Sequence, residues 1–153
     1  MFYDYYGTPG VRDTVHAAKS GKKSSAIRIA RDVSDAHVIH EGSYIIPMPG
    51  HNGMAAYTLE IAKILAGYTG SKVLDILTCK PHKPLYEAKK DGETIPLVMN
   101  VSSGITDFTG CPVFLIDTVI ATGQTMATAI SALADAGIFA IPLAYAVDGT
   151  KKP

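Results

Sequence analysis

The segment Val113–Met126, VFLIDTVIATGQTM, constrains the fold of this chain more than any other stretch. A run of large apolar residues ends in a carboxylate, Asp117. A loop rich in small residues follows, and Gly123 to Ala136 then reads as an alanine-rich helix with Gly137 as its stop. A continuously apolar strand has no polar face to offer water, so it must be covered on both sides. Turning such a strand directly into a helix is the repeating step of α/β proteins.

The rest of the chain repeats that alternation. Tyr44–Ile46, ended by Pro47, Lys72–Thr78, Ile95–Val101 and Ile138–Val147 read as further strands. Gly10–Lys19 reads as a short helix, and Ser24 or Ser25 as the cap of a second carrying Ile27, Ile29, Ala30 and Val33. Met54–Ala66 has apolar residues at helical spacing, with Gly67 as its expected C-terminal cap. The expected fold is therefore α/β: a mainly parallel central sheet with helices on both faces. Residues 1–43 would form a small N-terminal hood and residues 44–150 the core of one domain spanning 1–153. Cys79–Thr94 holds Lys80, Lys83, Lys89 and Lys90 with few large apolar groups. It reads as a long mobile loop or irregular hairpin, a length that usually marks a functional lid.

Composition narrows the function classes. The 153 residues suit one compact domain, and 47% apolar against 18% charged residues allows a buried core. Lysine plus arginine equals aspartate plus glutamate at 14 each, so bulk charge gives no case for nucleic acid or an anionic membrane as partner. The start, MFYDYYGTPG, has neither a basic segment nor a long apolar run, and does not read as a signal peptide. A soluble, cytoplasmic protein is expected, with Cys79 and Cys111 as reduced thiols.

The loop Thr118–Thr125 suits an anion. Unpaired N–H groups at a helix N-terminus carry partial positive charge and favour phosphate. Gly123 allows close backbone approach, Thr122 and Thr125 add hydroxyls, and Asp117 is placed for sugar hydroxyls at the edge where α/β ligands gather. Neither GxxxxGK[ST] nor GxGxxG occurs, which removes the two commonest nucleotide loops. A plain strand-to-helix turn remains the competing reading.

With its strand, VFLIDTVIATGQTM resembles the ribose-phosphate signature of type I phosphoribosyltransferases, an apolar run followed by D-[DE]-V-hydrophobic-x-T-G-x-T. Two more segments extend the resemblance to ComF-like phosphoribosyltransferase domains. Tyr6–Asp13 with His16–Lys19 is similar to their opening Y-x-G-x-x-R-x-x-I-H-x-x-K, and Ile45–Pro49 with His51 to their V-P-V-P-x-H. The four-cysteine zinc ribbon and the R-G-F-N-Q stretch of that group have no counterpart, and Thr118 stands where the signature usually carries a second acid.

The resemblance implies a type I phosphoribosyltransferase-like fold and a pentosyl transfer. Ribose 5-phosphate would pass from phosphoribosyl pyrophosphate to a nitrogen nucleophile, a nucleobase by preference, releasing pyrophosphate. It implies that Asp117 meets the ribose hydroxyls, and that Ala121, Thr122, Gly123, Gln124 and Thr125, with Thr118 beside them, form the ribose-phosphate site. Pro49, Gly50, His51 and Asn52 would hold the pyrophosphate. Lys80 and Lys83, on the loop expected to close over the reacting centre, would act with Asp117 in catalysis by neutralising the leaving group. Magnesium would come with the substrate and have no direct protein ligand. The implied partners are phosphoribosyl pyrophosphate or a nucleoside monophosphate, and a second copy of the chain in a homodimer. Two alternatives share the fold: a ribose-phosphate or nucleotide-binding regulatory module without turnover, and a ComF-like accessory protein of DNA uptake.

Other features read more plainly. Phe2, Tyr3, Tyr5 and Tyr6 could stack on a base, cover a sheet edge or form a dimer contact, with packing or association preferred. His37 and His40 lack a third ligand for a metal. Asp148–Gly149 could line an acceptor pocket or form a terminal turn.

Overall fold

A computed structural model of the chain describes residues 2–102, 108 and 110–150. Along these residues run β1 (Tyr3–Asp4), α1 (Val11–Lys19), α2 (Lys23–Ala36), β2 (Tyr44–Pro47), α3 (Tyr57–Thr69), β3 (Lys72–Val73), β4 (Leu77–Cys79), α4 (Leu85–Lys90), β5 (Met99–Val101), β6 (Val113–Ile120), α5 (Gln124–Asp135) and β7 (Ala140–Val147). Five strands form one sheet in the order β1-β7-β6-β2-β3, every pair of them parallel. The antiparallel pair β4–β5 stands apart as a small second sheet.

Alternation along the strands feeds two cores. Ile45, Phe114, Ile116, Leu143 and Tyr145 face one side, where Val15, Ile29, Val33, Ile61 and Leu65 of α1, α2 and α3 cover them. Ile46, Val113 and Leu115 face the other, against Met126, Ala129 and Leu133 of α5. Helices thus lie on both faces of a mainly parallel sheet. Residues 1–43, expected as a hood, contribute β1 to the sheet edge and two of the three helices on one face. The N-terminal aromatics pack locally. Tyr3 meets Tyr145 edge-on at 5.0 Å, Tyr5 meets Tyr6 at 4.9 Å, and Phe2 lies 5.5 Å from His37.

Several boundaries differ from the sequence expectations. Ser24 and Ser25 lie inside the first turn of α2, whose N-cap is Lys22 without a side-chain bond. The third helix begins at Tyr57 and runs through Gly67 to a left-handed Gly70, because Gly70 N–H reaches the Ala66 carbonyl one turn later. Lys72–Thr78 is two strands in two sheets. β3 pairs with β2 only through Lys72 and Val73, and the chain then leaves to pair Leu77–Cys79 with Met99–Val101. The lysine-rich segment contains a helix, α4. Finally β6 continues four residues past Ile116, because β7 supplies partners as far as Val147 and Val119 and Ile120 are β-branched. Asp117 and Thr118 therefore belong to the strand. Among the described residues no helix is long and apolar enough to cross a membrane, and both cysteines are free thiols.

Candidate functional site

The sheet order creates a switch point. From β2 the chain crosses through α3 to β3 on one side, and from β6 it crosses through α5 to β7 on the other. Because right-handed crossovers in opposite directions use opposite faces, the loops leaving β2 and β6 part from each other. They leave a crevice beyond the carboxyl ends of two adjacent strands, the usual ligand position in open α/β sheets.

Two cavities occupy that crevice. One, of about 410 Å³, is lined by Ala121–Met126, Asp117 and α4. The other, of about 500 Å³, is lined by Pro49–Asn52, Asp117, Thr118 and Tyr57. Leu85, Tyr86, Asp117, Val119 and Thr125 border both, so they are two lobes of one cleft. The fold thus brings together Asp117 and Thr118, the loop of Ala121, Thr122, Gly123, Gln124 and Thr125, and the loop of Pro49, Gly50, His51 and Asn52.

Each loop has a local cause. Gly123 adopts φ +79° as the N-cap of α5, with open space where a side chain would stand and no side-chain cap on the helix. Thr122 Oγ1 accepts only a long bond, 3.4 Å, from Gln124 N–H. The first turn of α5 therefore faces the cleft without a strong internal acceptor. The loop after β2 is tied from behind. Thr58, buried in α3, donates to the Met48 carbonyl at 2.6 Å. Gly50 N–H reaches Met54 O at 2.9 Å, Cys79 N–H reaches Gly53 O at 2.9 Å, and His82 N–H reaches His51 O at 2.9 Å. Gly53 has φ +103°, and a Cβ there would sit 2.8 Å from the Cys79 carbonyl. The small β4–β5 sheet thereby buttresses the Pro49–Asn52 loop.

Asp117 forms the floor shared by the two lobes. Its side chain keeps intermediate solvent exposure through the cleft, although protein surrounds it on its other sides. Burial pushes its carboxyl above the ordinary range. The Thr118 N–H, which donates to Oδ1 at 2.7 Å, and the nearby Lys19 ammonium offset part of that rise. Tyr57 stands beside it, its phenol made harder to ionise by burial first and by the Asp117 charge second. Thr118 is almost wholly buried, with its hydroxyl enclosed beside the Tyr57 phenol. It borders the cleft without offering it a charge.

The two lysines expected to be catalytic lie elsewhere. Lys83 is bound by Asp91, and Glu93 stands 3.6 Å away. Neither Lys80 nor Lys83 lines a lobe of the cleft. The reason is the helix that sequence reading missed. Once Leu85–Lys90 winds up, Asp91 and Glu93 fold back onto Lys83. The ammonium groups that do line the cleft are Lys89 in one lobe and Lys19 in the other. Tyr57 and Tyr86 were missed as well, since an aromatic at a helix start carries no signal of the cavity it will face. Asp148 forms a terminal turn, accepting from the N–H and hydroxyl of Thr150, and borders neither lobe.

For magnesium, the described residues contain no group of three His, Cys, Asp or Glu side chains arranged to hold a metal ion. One carboxylate, Asp117, is shared by the two lobes, with Glu93 at the rim of one. Asp117 and Glu93 are the carboxylates that could meet a magnesium ion there, with oxygen ligands of the kind that ion takes. No known protein family's model matches the chain, and no curated protein matches it.

Proposed function

We propose that the cleft binds phosphoribosyl pyrophosphate and that the protein is a phosphoribosyltransferase of the type I fold. The observation that carries this reading is the position of Asp117. It forms the floor between an uncapped, glycine-opened helix N-terminus and a second, glycine-shaped loop, as a ligand with phosphates at both ends of a sugar requires. Ribose hydroxyls would donate to Asp117, and the 5′-phosphate would sit on the Thr122–Thr125 N–H groups and hydroxyls. The pyrophosphate would reach toward Gly50–Asn52.

The reaction follows from that placement. The C1–oxygen bond breaks with its electron pair leaving on pyrophosphate, and the nitrogen nucleophile forms the new C1–nitrogen bond from the opposite face. The nitrogen then loses its proton to solvent. Magnesium, when bound with the substrate, supplies charge neutralisation at the phosphate oxygens. The chain's own groups contribute positioning, exclusion of water by α4 across the cleft, and stabilisation of the departing charge. The test is pyrophosphate release measured over a panel of nucleobases, beside calorimetric binding of ribose 5-phosphate. Binding with release supports a transferase.

A second reading has an observation of its own. Lys83 is neutralised by Asp91 and Glu93, and Thr118 replaces an acid with a buried hydroxyl. Those features favour a ribose-phosphate or nucleotide sensor without turnover, and ligand binding with no pyrophosphate release would select it. A role in DNA uptake has no such support, since the net charge is zero.

A further inference from the structure

We propose that Lys19, positioned by the ring of Tyr57, is the cation that receives the diphosphate end of the ligand. This rests on the phosphoribosyl pyrophosphate reading and supplies the charge that Lys80 and Lys83 do not. Lys19 is the last residue of α1, where a positive side chain is also favoured by the helix dipole. Its ammonium lies 5.7 Å from the centre of the Tyr57 ring, within cation–π range. Both side chains line the lobe that contains Gly50–Asn52, and among the described residues Lys19 is the one Lys or Arg bordering that lobe. Its positive charge also lowers the Asp117 carboxyl, against the rise that burial causes.

These contacts have a simple consequence. A flexible lysine at a helix end would ordinarily spread over many rotamers in water. The Tyr57 ring narrows that spread, and α3 fixes the ring because Tyr57 begins the helix beside the anchored Thr58. Tyr57 is thus a positioning residue, and its hydroxyl is not required for the role. Lys19 meets the anion directly, as a point charge that suits a diphosphate in several orientations.

The experiment measures calorimetric binding of inorganic pyrophosphate and of ribose 5-phosphate separately. The proteins are the full chain and its Lys19→Met, Lys19→Arg, Tyr57→Leu and Tyr57→Phe variants, each checked by thermal melting. Lys19→Met should weaken pyrophosphate binding about ten- to a hundredfold, the range for losing one charged hydrogen-bond partner, with ribose 5-phosphate changed less than about twofold. Lys19→Arg should restore most of the pyrophosphate affinity. Tyr57→Leu should cost several-fold on pyrophosphate alone, while Tyr57→Phe keeps wild-type affinity because the ring face remains. Equal losses on both ligands, or an unchanged pyrophosphate affinity in Lys19→Met, would overturn the assignment. Wild-type protein that binds pyrophosphate through Lys19 but ignores ribose 5-phosphate would instead overturn the phosphoribosyl reading and keep the cation. Wild-type protein that binds neither overturns both.

Discussion

Replacing Asp117 by asparagine should make the protein more stable and a poorer binder at once. Burial raises the Asp117 carboxyl, so ionising it costs the folded state stability that the Thr118 N–H and the Lys19 charge only partly restore. Relieving such a group is worth about 1–3 kcal/mol. Asparagine keeps an oxygen for the Thr118 N–H now at 2.7 Å, but as a neutral acceptor it gives back about 1 kcal/mol of that gain. The net is about 1 kcal/mol of stabilisation, or about 2–4 °C in melting temperature for a chain of this size. The pH dependence has a definite sign. A carboxyl whose folded pKa lies above its unfolded one supports the fold below the unfolded value and loses that support as pH rises through the folded value. Wild type and Asp117→Asn should therefore melt together in acid and separate, with the variant higher, as pH rises toward neutrality. Ribose 5-phosphate affinity should fall about tenfold or more, as for a lost charged partner of hydroxyl groups. Thermal melts from pH 4 to 8 and calorimetry on the same samples read both effects. A variant that melts below wild type at pH 7, or a gap that widens in acid, would refute the account of Asp117 as a strained carboxylate held for its ligand.

Three further outcomes follow from the geometry. Gly53→Ala should cost about 2–4 kcal/mol in urea unfolding, since it combines a left-handed backbone with a Cβ 2.8 Å from the Cys79 carbonyl; a loss under about 0.5 kcal/mol would show that the loop yields freely. Thr118→Asp, which restores the acid of the family signature, should lower stability by about 2 kcal/mol or more without raising pyrophosphate release, because position 118 is buried; a stable variant with higher turnover would contradict the placement. Lys83→Ala should leave ribose 5-phosphate and pyrophosphate affinities unchanged within error, because Asp91 and Glu93 already engage its ammonium; a fall above threefold in titration would return Lys83 to the site.

Much of the fold was legible because burial leaves periodic traces. The apolar runs at Tyr44–Ile46 and Val113–Ile116 mark strands covered on both faces, and both are internal strands of the sheet. Gly123 reads as a turn residue from its sequence alone and takes φ +79° in the structure. What periodicity cannot carry is partnership. Lys72–Thr78 looks like one strand because a corner between two sheets leaves no mark on alternation, and Gly67 looks like a cap because nothing local says that Gly70 will serve.

By itself, the sequence determined the α/β class, the strand–acid–loop–helix order around Asp117 and the short loops that could receive an anion. These depend on neighbours in the chain: hydrophobic period, glycine at positive φ and the start of a helix. The tertiary structure alone decided which loops share a cleft, which cations face it and which carboxylate is strained. The Pro49–Asn52 loop meets Asp117 because β2 and β6 pair although more than sixty residues separate them. Lys83 is engaged by Asp91 and Glu93 because α4 returns them to it, and Lys19 lines the cleft because α1 packs on the same face as α3. Charge and distance act through space, so the chemistry of the cleft was fixed only when the sheet brought distant segments side by side.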